Sequence, residues 1–303
     1  MATPRVSIVT ATYNRADVLR FTIQSVLAST FADWEMIIVG DACTDRTEEM
    51  VRGFADPRIS FINLPTNAGE QSTPNNVGAR TARGTHLAFL NHDDLWTPDH
   101  LEQAMAHLEG REPGFVSTLT IAIPASGEPA LVGALAEEYA PHFVAPASSW
   151  VMTRSFFEAV GPWRTARELY LAPSQEWLFR AWKQKRRLPS LHRPTVLAVY
   201  SGDRAGSYRV GSSREHEEWA RRLRDDPALM LSLVTRIAAR RQEQAERPVV
   251  LPHVARAAKN MVRRAIFSLG GHPVALQHAV RYRGRGGFID SLRHTRGLPP
   301  LER

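Results

Sequence analysis

Two adjacent carboxylates, Asp93 and Asp94, follow Asn91 and His92 at the end of an apolar run in FLNHDDLW (residues 89–96). Like charges ~4 Å apart repel by about 4 kcal/mol at an effective dielectric near 20. A chain that puts them where a strand leaves the core must either solvate them in a turn or set them against a divalent cation. Two other polar clusters follow apolar runs in the same way. One is Thr12, Tyr13 and Asn14; the other is GDACTD (residues 40–45), which contains Asp41. A further carboxylate, Glu176 in SQEWLFRAW, stands in the first turn expected of a helix that opens at Ser174, where the helix dipole favours negative charge.

The elements that must position these residues are legible from periodicity. RVSIVTAT (5–12), WEMIIVG (34–40), ISFINLP (59–65) and THLAFL (85–90) are β-branched or apolar runs of strand length. Leu19, Ile23, Val26 and Leu27 mark one face of a helix from Asp17. DACTDRTEEMVRGF opens a second, capped by Thr44 or Asp45, and residues 72–83 form a third with Pro74 in its first turn. Residues 97–110 form a fourth, with Thr97 as cap and Pro98 at the first helical position. Alternating strands and helices with short connections specify a parallel sheet covered on both faces. Ligands of such sheets collect beyond the carboxyl ends of the strands, and TYN, GDACTD and NHDD all follow such ends. Further on, strands are expected at 114–123 and 195–200 and a helix at 174–184. Amphipathic helices follow at 213–224, 228–245, 252–268 and 272–283, and then a Gly- and Arg-rich end, loosely held.

Composition narrows the classes. The chain has 303 residues, 43% hydrophobic and 23% charged, as in soluble globular proteins. No apolar run reaches the 18 residues of a membrane span, and the opening residues lack a signal-peptide layout. A single cysteine, Cys43, excludes an internal disulfide and a Cys-based zinc site. His92, His100 and His107 lack zinc-ligand spacing, and neither G-x-G-x-x-G nor G-x-x-x-x-G-K-[ST] occurs, which argues against dehydrogenases and P-loop enzymes. The net charge of +7 is uneven. Residues 204–303 carry 20 Lys/Arg against 9 Asp/Glu, whereas residues 1–203 carry 18 against 22. The basic part has the charge to face anionic lipid, a phosphate-bearing acceptor or nucleic acid, or to be a plain solvated face.

Taken in order, VSIVTATYNR, IIVGDACTDRTEEMV, NAGE with NNVGARTARGTHLAFLNHDDLW, and SQEWLFRAW resemble the inverting glycosyltransferases of family 2, with the GT-A fold, over roughly residues 5–200. The resemblance implies a mostly parallel α/β sheet with helices on both faces. It divides the chain into a GT-A domain at 1–204 and a basic helical extension at 205–303. It implies a D-x-D element at Asn91 and Asp93, with Asp93 and Asp94 binding Mn²⁺ or Mg²⁺ against the diphosphate of a nucleotide sugar. Thr12, Tyr13, Asn14 and Asp41 would hold the nucleoside, Asn76 and Arg80 would approach the diphosphate or ribose, and Asn91 and His92 would flank them. Glu176 would be the base that deprotonates the acceptor hydroxyl. A carboxylate at Asp41 suits a base N–H, which favours UDP or dTDP, admits GDP and disfavours cytidine nucleotides. The sequence departs from the family pattern at Asn91 (the first Asp), Ala42-Cys43 (Gly-Ser) and Gln175-Glu176 (Glu-Asp), and 200–209 lacks the family's His.

The activity implied is transfer of a sugar to a glycan or lipid-linked glycan hydroxyl with inversion, in bacterial surface-polysaccharide synthesis. The expected location is cytoplasmic, with peripheral contact between residues 205–303 and the anionic inner membrane face; no nucleic acid is expected. The alternative is a non-catalytic GT-A module that binds nucleotide or glycan, with a partner-binding tail.

Overall fold

The computed structural model describes residues 3–110, 114–208, 213–245, 261–263 and 265–301. Its strands are β1 (Val6–Thr12), β2 (Trp34–Gly40), β3 (Ile59–Asn63), β4 (His86–Phe89), β5 (Asp94–Trp96), β6 (Phe115–Ile123), β7 (Ala130–Val132), β8 (Trp150–Thr153) and β9 (Ser190–Val199). They form one mixed sheet in the order β3-β2-β1-β4-β8-β6-β9-β5, with β7 on β6. The first four strands are parallel, and β8 enters antiparallel between β4 and β6. Helices α1 (Ala16–Leu27), α2 (Thr47–Arg52), α3 (Ser72–Thr81), α4 (His100–Leu108), α5 (Arg154–Val160), α6 (Pro173–Lys183), α7 (Arg214–Asp225) and α8 (Leu229–Ala245) follow in chain order. Two more helices, Pro273–Arg281 and Gly287–Arg296, close the described chain.

Strand alternation divides the core between the two faces. Val6, Ile8, Met36, Ile38 and Ala88 pack with Leu19, Ile23 and Val26 of α1 and with Leu101 and Met105 of α4. Val9, Ile37, Val39, Leu87 and Phe89 pack on the other side with Ala79 of α3, Phe156 of α5 and Trp177 of α6. A third cluster joins Leu229, Leu233 and Ile237 of α8 to Leu95, Ile121, Ile123 and Leu197 on β5, β6 and β9. The basic C-terminal part therefore covers sheet with an apolar helix face.

Three expectations are corrected in detail. Asp94-Leu95-Trp96 is a short strand, β5, pairing antiparallel with Ala198–Val196 of β9, so the chain re-enters the sheet immediately after the carboxylates. Helix α4 starts at His100 rather than at Pro98, because Thr97 Oγ1 donates to Asp99 Oδ1 (2.6 Å) and His100 N to Thr97 O, forming a turn first. The C-terminal end is anchored rather than loose. Arg293 and Leu301 are buried, Arg293 donates to Gly69 O and Pro299 O, and Leu301 N donates to Asp290 Oδ1 (2.7 Å). Of the helix expected at 252–268, residues 252–260 and 264 lie outside the described residues.

Gly78 shows how closely α3 lies on β1. A Cβ there would stand 2.4 Å from Val9 Cγ1, a branched core side chain with no room to retreat. Gly78→Ala is expected to lower stability by about 2 kcal/mol through overpacking, or on the order of 5 °C in Tm for a chain of this size. Thermal unfolding followed by circular dichroism checks it; an unchanged Tm would show that the interface yields.

Candidate active site

The parallel pairing brings the polar clusters to one edge. Thr12 stands opposite Gly40 in the β1–β2 register, and Val9 opposite Phe89 in the β1–β4 register, so the chain leaves all three strands on the same side. The loops after β1 and β2 are tied together. Asn14 Oδ1 accepts from Thr44 N (2.8 Å), Asn14 Nδ2 donates to Thr44 Oγ1 (3.2 Å), and Asp41 N donates to Thr12 O (2.8 Å). Asn14 and Ala42 have positive φ, 47° and 58°, conformations that cost a non-glycine residue energy and cluster at ligand loops. Cys43 is packing and backbone glue: its N–H donates to Asn63 Oδ1 (2.8 Å) and its thiol faces Thr12 O.

Asp41 is buried, and its oxygens accept from Ala68 N (2.7 Å) and Gly69 N (2.8 Å). Each oxygen keeps a second lone-pair direction. Burial pushes its carboxyl above the usual range, against those two bonds and the Arg293 guanidinium. Thr12 is buried with its Oγ1 unpartnered among the described residues, and Tyr13 beside it is half-buried.

The two carboxylates of NHDD separate in role. Asp94 lies inside the protein: Ser148 Oγ and Asn91 Nδ2 (2.8 Å) both donate to its Oδ2. Burial and the adjacent Asp93 charge push it up to about 7. Asp93 accepts from Ser201 Oγ (2.8 Å). Its own burial opposes ionisation, but the positive field of His92, Arg296 and His216 with the Ser201 bond outweighs that and holds it at about 2. The stretch thus presents one open anion, Asp93, while Asn91 and Asp94 brace each other beneath it. His92 is pinned between Ala11 O (Nδ1, 3.2 Å) and the Tyr208 hydroxyl (Nε2, 3.1 Å); burial lowers its pKa, against the upward pull of the Asp93 charge.

Glu176 is buried at the start of α6 with Oε1 between Arg180 Nε (3.2 Å) and Arg164 Nη1 (3.4 Å). Its other oxygen, Oε2, is buried with no partner among the described residues. Burial raises its pKa, partly offset by the two arginines. Arg164 also ties it to the start of α3, since Arg164 O accepts from Ser72 Oγ (2.9 Å). Trp177 is core: it stacks on Trp150 at 5.5 Å and donates to Gly161 O (2.8 Å).

The structure does not bring Asn76 and Arg80 to the polar edge. Asn76 clamps the backbone of Trp163, donating to its carbonyl and accepting from its N–H, each at 2.9 Å. Helix α3 runs back from the carboxyl end of β3 toward the start of β4, so Arg80 in its last turn is exposed near the opposite sheet edge. Sequence spacing put the two on one helix face but carried no information about depth along the helix.

Several residues at this edge were not singled out. Tyr208 lies between two guanidinium groups, Arg15 at 4.8 Å and Arg296 at 5.9 Å from its ring centre. His216 of α7 is buried with both ring nitrogens unpartnered among the described residues, and burial lowers its pKa to about 4. Glu70, beside the Asp41 loop, has a buried, unpartnered Oε1. The only sequence signal was the motif-free basic stretch that carries Tyr208, His216 and Arg296. Among the described residues no group of three or more His, Cys, Asp or Glu side chains forms a metal cage. Mg²⁺ is commonly held by one or two carboxylates plus substrate phosphates, and Asp93, with one oxygen on Ser201 Oγ, fits that sparser arrangement.

Comparison with known proteins agrees with this architecture. TuaG of Bacillus subtilis, a candidate teichuronic acid biosynthesis glycosyltransferase, is 36% identical over 117 residues, 38% of this chain and 46% of TuaG. WfgD of Escherichia coli, a UDP-Glc:α-D-GlcNAc-diphosphoundecaprenol β-1,3-glucosyltransferase, is 33% identical over 101 residues, 33% of this chain and 40% of WfgD. The matched part thus spans less than half the length of these relatives. Among solved structures, TarS 1–349 of S. aureus in complex with UDP-GlcNAc superposes with a TM-score of 0.56 at 18% identity, covering 65% of this chain and 58% of that one. The mannosyltransferase PcManGT of Pyrobaculum calidifontis, in complex with GDP-Man and Mn²⁺, superposes with a TM-score of 0.54 at 18% identity, covering 93% and 87%. These likenesses establish the GT-A fold. The segment that builds the β1, β2 and β4 edge, residues 7–131, matches the model of glycosyl transferase family 2.

Proposed function

We propose that the protein transfers a sugar from a nucleoside diphosphate donor to a glycan hydroxyl, with inversion, in bacterial surface-glycan synthesis. The observation that carries the reading is Asp93, a half-buried carboxylate at the edge where the loops of Asp41 and Asn14 also emerge. Asp41 would accept the N–H of a uracil or thymine base, or of guanine, through its remaining lone pairs, and Tyr13 would lie against the base. Mn²⁺ or Mg²⁺, held by Asp93 and phosphate oxygens, would neutralise the charge that develops on the leaving diphosphate. Glu176 would take the acceptor proton through its unpartnered Oε2 while Arg180 and Arg164 orient its other oxygen. WfgD's diphosphoundecaprenol-linked acceptor supports a lipid-linked acceptor here. The exposed Leu269, Leu276 and Val280, close in sequence to Arg281, Arg283 and Arg285, support peripheral contact with an anionic membrane.

In a thermal-shift panel of UDP, dTDP and GDP with Mn²⁺, one diphosphate at ~100 times its Kd is expected to stabilise the wild type by about 2.7 kcal/mol, and Asp93→Ala to lose most of that shift. No shift with any of the three in wild type would remove the donor reading. Glu176→Gln is expected to lower turnover by roughly 10²–10⁴-fold with the nucleotide shift kept. Full turnover in that variant would take the base role from Glu176. Because burial raises the Glu176 pKa, kcat/KM should fall on the acid side with an inflection above the usual glutamate range. Arg180→Gln should move that inflection higher still, since its guanidinium pulls the pKa down. For the membrane contact, wild type should co-sediment with vesicles containing phosphatidylglycerol and not with pure phosphatidylcholine. Leu269→Asp/Val280→Asp should sediment less; equal sedimentation would exclude this face.

A further inference from the structure

Three arginines meet the polar edge, and two of them already have protein partners. Arg15 donates to Ser207 O (2.9 Å) and lies 3.8 Å from Asp17. Arg293 donates to Gly69 O and to Pro299 O, strapping the C-terminal helix (Gly287–Arg296) onto the loop that holds Asp41. Arg296 is different. Its Nε is buried without a hydrogen-bond partner, and no carboxylate lies within ion-pair distance of it among the described residues. The side chain as a whole is half-buried, but an enclosed guanidinium N–H without a partner is costly unless a ligand completes its bonds.

The position of Arg296 is fixed by backbone. Arg296 O accepts from Tyr208 N (3.1 Å), Thr295 O accepts from Gly206 N (2.7 Å), and Gly286 N donates to Leu169 O (2.8 Å). Its guanidinium lies 5.9 Å from the centre of the Tyr208 ring, whose hydroxyl meets His92, and its charge is felt at Asp93. The NHDD loop thus presents one open anion, Asp93, above the amide of Asn91, and beside it stands a fixed cation whose Nε has no partner among the described residues.

We infer that Arg296, carried in by the C-terminal helix, is the residue whose guanidinium fork binds the diphosphate of the nucleotide donor. The inference rests on the donor reading above and makes the last helix part of the donor site. A planar guanidinium with unfilled N–H groups matches two phosphate oxygens at once. It also adds positive charge that does not depend on how tightly Asp93 holds a cation.

Titration calorimetry separates the two readings by comparing the tightest-binding of UDP, dTDP and GDP with its parent nucleoside, both in Mg²⁺. Arg296→Gln is expected to weaken the diphosphate at least tenfold and the nucleoside less than twofold. Arg296→Lys, which keeps the charge without the fork, should lose at least threefold on the diphosphate alone, and it decides the matter if the Gln variant does not fold. Arg224→Gln, on the exposed face of α7, should bind both as wild type does. Diphosphate affinity within twofold of wild type in the Arg296 variants overturns the inference. So does a parallel loss of nucleoside and diphosphate, which would mark Arg296 as structural only. If wild type binds none of the three diphosphates, the donor reading falls and the inference falls with it.

Discussion

The site depends on the shared register of β1, β2 and β4. Parallel strands one hydrogen-bonding step apart must release their chains on the same side, so loops distant in sequence open within reach of one another. The pairing of Thr12 with Gly40 sets Asn14 against Thr44, and that contact holds two loops in backbone conformations that non-glycine residues rarely adopt. Buried β-branched and aromatic side chains on both faces resist any slip, because a shift of one residue would turn each core side chain outward.

On that frame, electrostatics selects which polar groups stay open. Two carboxylates in sequence cannot both be ionised in a confined place, and the fold separates them. Ser148 and Asn91 engage Asp94 within the protein, and Ser201 with nearby positive charge keeps Asp93 ionised. The Asn at position 91 then has a physical use: its amide can donate to Asp94, whereas a carboxylate there would add a third negative charge. Glu176 is treated in the opposite sense. Two arginines hold one of its oxygens, and the other is buried without a partner among the described residues.

The C-terminal part extends the same logic. Its composition suggested a solvated or partner-facing tail, yet α8 buries leucines against β5, β6 and β9, and the last helix reaches the loops of Gly69 and Tyr208. Its positive charge is thereby set against an edge whose half-buried carboxylate, Asp93, needs compensation. An excess of arginine read from the sequence is a statement about net field; which arginine faces which anion is set by a few backbone hydrogen bonds.

Sequence alone determined the alternation of strands and helices, because hydrophobic periodicity reports which face of each element is buried. It also determined that three polar clusters would share one edge, because parallel topology follows from short βαβ connections. It singled out Asp41, Asp93, Asp94 and Glu176 as the candidate carboxylates. Only the tertiary structure decided depth and partnership: that Asn76 is tied to Trp163 and Arg80 lies at the far end of α3, that Asp94 is internal, and that β5 follows the carboxylates at once. It alone brought Tyr208, His216 and Arg296 to the edge from a stretch with no motif. Periodicity carries direction but not distance, whereas burial of a charge and completion of its hydrogen bonds depend on atoms that meet only when segments far apart in sequence pack together.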